Sequence, residues 1–185
     1  MQGCVSQLPA VPEVGSLPSN VAVGRVVVVL TGERSRIYEP AVKSFEVENR
    51  QTQQRFNVHI ESDNESFILP LAPGDYELTR VQINEGPFLS MAQLASTFSI
   101  GQDSVTYLGT WRFGVESPKY GRMVSVSMVS DEDDCEKALQ TLAQDQQIDI
   151  KNIPTALPDP PELQTRLYEV MPYPRVPRYF RRHWW

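Results

Sequence analysis

Twelve consecutive residues, Phe67-Ile68-Leu69-Pro70-Leu71-Ala72-Pro73-Gly74-Asp75-Tyr76-Glu77-Leu78, narrow the fold class more than any other stretch of this chain. Large residues alternate before and after a Pro-Gly-Asp sequence, first Phe67, Leu69 and Leu71, then Tyr76 and Leu78. That is the period-two pattern of strands with one buried face. Proline presets φ near −65° and the following glycine accepts a positive φ, so Pro73-Gly74 predicts a type II turn and the stretch predicts a β-hairpin.

The same alternation recurs along the chain. Residues 21–30, Val-Ala-Val-Gly-Arg-Val-Val-Val-Val-Leu, have the β-branched content of a central strand. Residues 45–48 and 55–61 alternate on either side of the polar segment 49–54 and predict a second hairpin. Gly86-Pro87 predicts an irregular stretch over 84–95. Residues 97–100 and 105–115 flank a turn at Gly101-Gln102-Asp103, and 122–129 form a last strand with Val124, Val126 and Met128 on one face. Seven or eight short strands separated by turn signals predict a mainly β protein, an antiparallel β-sandwich or barrel.

One amphipathic helix is expected near 131–145. Ser130 is placed to cap it, Asp133 sits at capping-box spacing, and Asp131, Glu132 and Asp134 complement the positive end of the helix dipole. Cys135, Ala138, Leu139 and Leu142 make its apolar stripe. Beyond it Pro154, Pro158, Pro160, Pro161, Pro172, Pro174 and Pro177 exclude long helices and central strands, leaving room for a helical turn or two over 162–170. The organisation read from the sequence is a tether over 1–20, a sandwich over 21–152, and an extended proline-rich tail over 153–185.

A chain of 185 residues with 41% hydrophobic and 22% charged residues has the composition of a folded globular domain. No run approaches the roughly 18 apolar residues of a membrane-crossing helix. The net charge of −6 is unevenly spread. Residues 175–185 hold four arginines and no acid, leaving 13 basic against 23 acidic residues, a net −10, on the rest. An acidic body argues against nucleic acid as the main ligand. The two cysteines, Cys4 and Cys135, form no disulfide framework, and with only two histidines no metal-ligand spacing emerges. No cofactor is expected.

The strand succession of 67–78, then Phe98-Ser99-Ile100 and Val105-Thr106-Tyr107-Leu108-Gly109, resembles the prealbumin-like or carboxypeptidase-regulatory-like β-sandwiches of bacterial surface proteins and lipoproteins. Gly3-Cys4 resembles the end of a lipobox. That likeness implies cleavage before Cys4 and its lipidation, and Val5, where aspartate would retain a lipoprotein in the inner membrane, implies the outer membrane.

The resemblances imply a non-enzymatic, lipid-anchored cell-envelope protein acting as a scaffold or accessory binding subunit. The tail carries Arg175, Arg178, Tyr179, Phe180, Arg181, Arg182, Trp184 and Trp185, residues suited to stacking, cation–π contact and carboxylate pairing with a protein partner. The same segment is as well suited to lie on the chain's own acidic body, and less so to meet lipid headgroups. A second reading is a carbohydrate- or peptidoglycan-binding module with Trp111 and Tyr120 as its platform. Gly-x-Ser-x-Gly, His-Glu-x-x-His and glycine-rich phosphate loops are absent from the sequence, which lowers the weight of a hydrolase. His59 is expected on an exposed strand face, Cys135 as a buried helix residue, Asp131 to Asp134 as a helix-dipole cluster, and Glu46, Glu48 and Glu61 on a solvated sheet face.

Overall fold

A computed structural model describes residues 20–32, 36–60, 66–103, 105–119, 121–143 and 153–170. Among these are ten strands and one helix: β1 (Val21–Thr31), β2 (Pro40–Asn49), β3 (Arg55–His59), β4 (Ser66–Leu69), β5 (Gly74–Glu85), β6 (Phe88–Ile100), β7 (Val105–Glu116), β8 (Met123–Val129), α1 (Glu132–Ala143), β9 (Glu162–Arg166) and β10 (Tyr168–Glu169). They form two five-stranded sheets, ordered β4-β1-β7-β8-β9 and β10-β6-β5-β2-β3. The inward rows of both sheets meet in one apolar core.

The sandwich expected from the alternation is present, but the stretch that predicted a hairpin is not one. β4 pairs with β1 in the first sheet, whereas β5 pairs with β2 and β6 in the second. Pro73-Gly74 therefore carries the chain from one sheet to the other. Gly74 has φ 154°, far from the value near +80° that a type II turn requires. Both flanking strands need an inward face, and facing sheets satisfy that pattern as well as a hairpin does. Phe67 and Tyr76 meet the core from opposite layers.

Gly86-Pro87 behaves in the opposite way. Glu85 pairs with Phe88, so the two residues between them close a tight hairpin, and β6 runs unbroken through the stretch expected to be irregular. Gly86 has φ 60°. A positive φ at the first central position followed by the fixed φ of proline matches a type II′ turn, one of the favoured two-residue hairpin connections. The hairpin of β2 and β3 is formed as expected, with Phe45 opposite Val58 and Val47 opposite Phe56.

β1 and β7 are parallel, whereas the other pairs of these strands are antiparallel. Their register slips between Val23 and Arg25, opposite Gly109, which has φ 83°. A Cβ on Gly24 would lie 2.4 Å from the Phe67 ring, and one on Gly109 would lie 2.8 Å from the Val129 carbonyl oxygen. The glycine of Tyr107-Leu108-Gly109 is thus a bulge residue where neighbouring backbone and side chains come too close for any side chain.

Trp111 is fully buried at the centre of the sandwich, its ring centroid 4.9 Å from that of Phe45 and 4.8 Å from that of Phe67. Its Nε1–H donates to the Leu108 carbonyl at 3.0 Å. An inward position on a central strand accounts for this, so Trp111 is a core residue and not the glycan platform expected of it. Tyr120 lies outside the described residues.

α1 packs on the outer face of the first sheet, where Ala138 and Leu139 bury against Val21, Val23 and Tyr107. Cys135 is half-buried on the same cluster rather than fully enclosed. The Leu142 side chain lies outside the described residues. Asp131, not Ser130, caps the helix: its carboxylate accepts the Asp133 amide at 3.0 Å and its carbonyl accepts the Cys135 amide. The residues expected to form helical turns over 162–170 are strands. β9 extends the first sheet beside β8 and β10 extends the second beside β6, both at sheet edges. Leu163 and Thr165 turn inward while Glu162, Gln164 and Arg166 are exposed, a period of two that cannot serve a helix.

Candidate functional site

The hairpin turn at Gly86-Pro87, the C-terminal end of β7 and the N-terminal end of β8 converge at one end of the sandwich. A cleft of about 290 Å³ opens there, lined by Arg36, Ile37, Tyr38, Glu85, Phe88, Pro118, Arg122 and Glu169. Its position follows from strand periodicity. Val81, Ile83 and Glu85 share the inward row of β5, and Arg122 precedes the inward row of Val124, Val126 and Met128 in β8. Each row therefore ends by directing a charge into the core-facing side.

Glu85 is held between two guanidinium groups. Arg36 Nη1 donates to its Oε1 at 2.7 Å and Arg122 Nη1 donates to its Oε2 at 2.6 Å. Arg122 Nη2 also donates to Ser90 Oγ at 2.7 Å, and Arg36 Nη2 donates to the Val115 carbonyl. The side chains of Arg122 and Glu85 are 3% and 4% exposed, and that of Arg36 is 7% exposed. Two cations thus share one anion out of water, which leaves an excess positive charge among the described residues of the cluster. Arg122 Nε is buried and has no hydrogen-bond partner among the described residues. The backbone of Arg122 is fixed as well, its amide donating to the Lys119 carbonyl and its carbonyl accepting the Leu167 amide.

The mouth has a different character. Ile37, Tyr38 and Phe88 are exposed large apolar residues at the cleft, with Ile37 90% exposed, and Tyr168 is exposed on the adjoining β10. The Tyr38 ring lies so close over Gly86 that a Cβ there would come within 2.4 Å of it. Glu169 stands at the rim in contact with solvent. A charged floor beneath an apolar rim is the arrangement of a site that orients a polar group and holds an apolar one beside it.

A second polar network fastens the helix. Asp134 is paired with Arg25 of β1 and accepts a hydrogen bond from Thr110 Oγ1 at 2.9 Å, while Thr110 and the Tyr107 hydroxyl lie 3.2 Å apart. Burial pushes the Asp134 carboxyl up, but the Thr110 hydroxyl, the neighbouring Arg25 and Lys137 charges and the Arg25 hydrogen bond together hold it below its ordinary value. Burial raises the Tyr107 hydroxyl, and burial followed by Glu136 and Glu132 raises the Cys135 thiol. Both oxygens of Asp134 are occupied, so this network acts as a clamp between helix and sheet.

Of the residues singled out from the sequence, Cys4, Arg175, Arg178, Tyr179, Phe180, Arg181, Arg182, Trp184 and Trp185 lie outside the described residues, as does Glu61. His59 is exposed on β3 as expected. Glu46 is not on a solvated face: it is 4% exposed, accepts Thr79 Oγ1 at 2.8 Å, and lies 3.7 Å from Arg55 and 3.9 Å from Arg80. Longer neighbours on β3 and β5 cover it, which the pattern of its own strand does not reveal. Among the described residues no group of three or more His, Cys, Asp or Glu side chains is placed to hold a metal ion. No helix among them is long and apolar enough to cross a membrane.

Compared with protein-family models, with curated proteins and with solved structures, the chain finds no match.

Proposed function

We propose that this chain is a non-enzymatic binding subunit of the bacterial cell envelope, anchored through Cys4 to the outer membrane and facing the periplasm. Its partner is a protein, engaged by the cleft end of the sandwich together with the Arg/Trp-rich tail. One observation carries this reading: the cleft and the start of the tail coincide. Glu169 lines the cleft, and the Val170 amide donates to the Leu89 carbonyl at 2.8 Å, so the chain is held at the cleft mouth five residues before Arg175. The exposed aromatic side chains at that mouth and the arginines and aromatics beyond Val170 are of the types enriched at protein interfaces.

The carboxylates in the two buried networks support a binding role. Both oxygens of Glu85 and both of Asp134 are taken up by cations or hydroxyl donors, an arrangement that braces the frame. At the other end of the chain, Gly3-Cys4 and the proline-rich tether support lipidation. Acyl chains contribute roughly 0.8 kcal/mol per buried methylene and attach a protein without a spanning helix.

Two experiments test the proposal. Palmitate labelling in bacteria, with Cys4→Ala as control, should label the parent chain and not the variant; an unlabelled parent chain removes the anchor. Capture from envelope extract by the full chain should yield a discrete partner that is lost when 171–185 are deleted. An unchanged set of captured proteins rejects the tail as an interaction segment.

A further inference from the structure

We infer that the floor of the cleft is a carboxylate-binding site, formed by Arg36 and Arg122, for a ligand that carries an apolar or aromatic group next to its carboxylate. The inference rests on the reading of this end of the sandwich as a binding face, but it concerns the floor and not the tail.

Arg36 and Arg122 are both more than nine-tenths buried and share a single carboxylate, Glu85. No other carboxylate among the described residues pairs with either guanidinium. Glu169 at the rim is exposed, so water screens it and it offsets the buried charge weakly. Removing a cation from water is costly unless it is paired and hydrogen-bonded, and among the described residues the cluster holds one cation more than it has carboxylates. A bound monoanion supplies the missing charge.

Hydrogen-bond geometry gives the second line. Among the described residues the two guanidiniums make four hydrogen bonds to protein acceptors, fewer than half of the ten N–H groups that they carry. The Nε of Arg122 is buried and without an acceptor among the same residues. Guanidinium N–H groups lie in a planar fork that matches the two oxygens of a carboxylate, which favours a planar anion.

The rim gives the third. Ile37, Tyr38 and Phe88 offer apolar area beside the charged floor, and a hydrated ion such as inorganic phosphate gains nothing from it. A volume of about 290 Å³ accommodates a single ring or a short apolar side chain with its carboxylate. A carboxylate-bearing side chain or terminus of a partner protein and a free aromatic acid share this chemistry.

Titration of the full chain with benzoate, benzamide and inorganic phosphate, followed by amide and arginine Nε–H resonances, tests the assignment. Benzoate should move the Arg122 Nε–H signal and the amides of Ser90 and Val115 in a saturable way, with benzamide weaker by about tenfold or more because it lacks the charge. Arg36→Gln should weaken benzoate by a similar factor. Because that variant could disturb the fold, Phe88→Ser, exposed at the rim, provides a second case and should weaken benzoate several-fold without changing the core resonances. Equal effects from benzamide or phosphate, or shifts confined to the Arg-rich tail, would each overturn the assignment. Benzoate binding in a chain that captures no envelope partner, or capture without benzoate binding, separates this inference from the functional reading. To distinguish the two ligand sources, a peptide with a Phe-Glu pair is compared with benzoate. Either one binding at these resonances supports the site, and neither binding rejects it.

Discussion

Gly109 shows what a single residue can fix in this fold. With φ 83° and the Val129 carbonyl at 2.8 Å from any added Cβ, it holds the bulge that lets β1 and β7 shift register. Replacing it by alanine should cost about 1–3 kcal/mol, the penalty of a strained left-handed residue, read from the denaturant midpoint. A change under a few tenths would mean that the bulge relaxes. Glu85 is the counterpart in the polar cluster. Its removal in Glu85→Ala leaves two buried guanidiniums facing each other, with an expected loss of about 3–5 kcal/mol. Stability equal to that of the parent chain would show that water already solvates the pair. Cys135, with its thiol raised by burial and by Glu136 and Glu132, should react with a thiol reagent more slowly in the native chain than after unfolding.

The helix docks through an apolar patch and one carboxylate, Asp134, and the pH dependence of that carboxylate follows from the sign of its shift. Asp134 lies below its ordinary value in the native state, so the native chain binds fewer protons there than the unfolded chain. Its contribution is therefore complete above about pH 4, the ordinary aspartate range, and fades as pH falls from there toward the native value. An acid titration of stability should show this loss in the parent chain and not in Asp134→Asn; identical acid curves would contradict the clamp. At this scale the sequence was legible where a pattern is local. The β2–β3 hairpin, the strand ends of β6 and β7, and the helix all follow from alternation or from i, i+3, i+4 spacing. Pairing partners were not legible, because alternation says that one face is buried and not which strand lies alongside. Hence Pro73-Gly74 passes between sheets although it carries the residues of a hairpin turn, and Gly86-Pro87 closes a hairpin although it looked like a break. The cleft was missed: Glu85 fell in the stretch expected to be irregular, and only with β5 continued to residue 85 do Glu85 and Arg122 stand on inward rows, where a charge signals a buried partner. The partner itself, Arg36, sits before β2 and has no periodic pattern to announce it.

For the whole molecule, the two sheets bring their strand ends together so that a charged floor, an exposed apolar rim and the departure point of the Arg/Trp-rich tail share one end. Body and tail carry opposite net charge, −10 against +4, so capture of the proposed partner through the tail should weaken as salt is raised, read from the yield of a pull-down across a salt series. If binding is confined to the cleft end, a photo-crosslinking phenylalanine analogue at Phe88, in the full chain expressed in bacterial cells, should capture a discrete partner. The same analogue at His59, exposed on the β3 edge, should capture little or none. Equal products at both positions, or a product from His59 alone, would contradict that confinement.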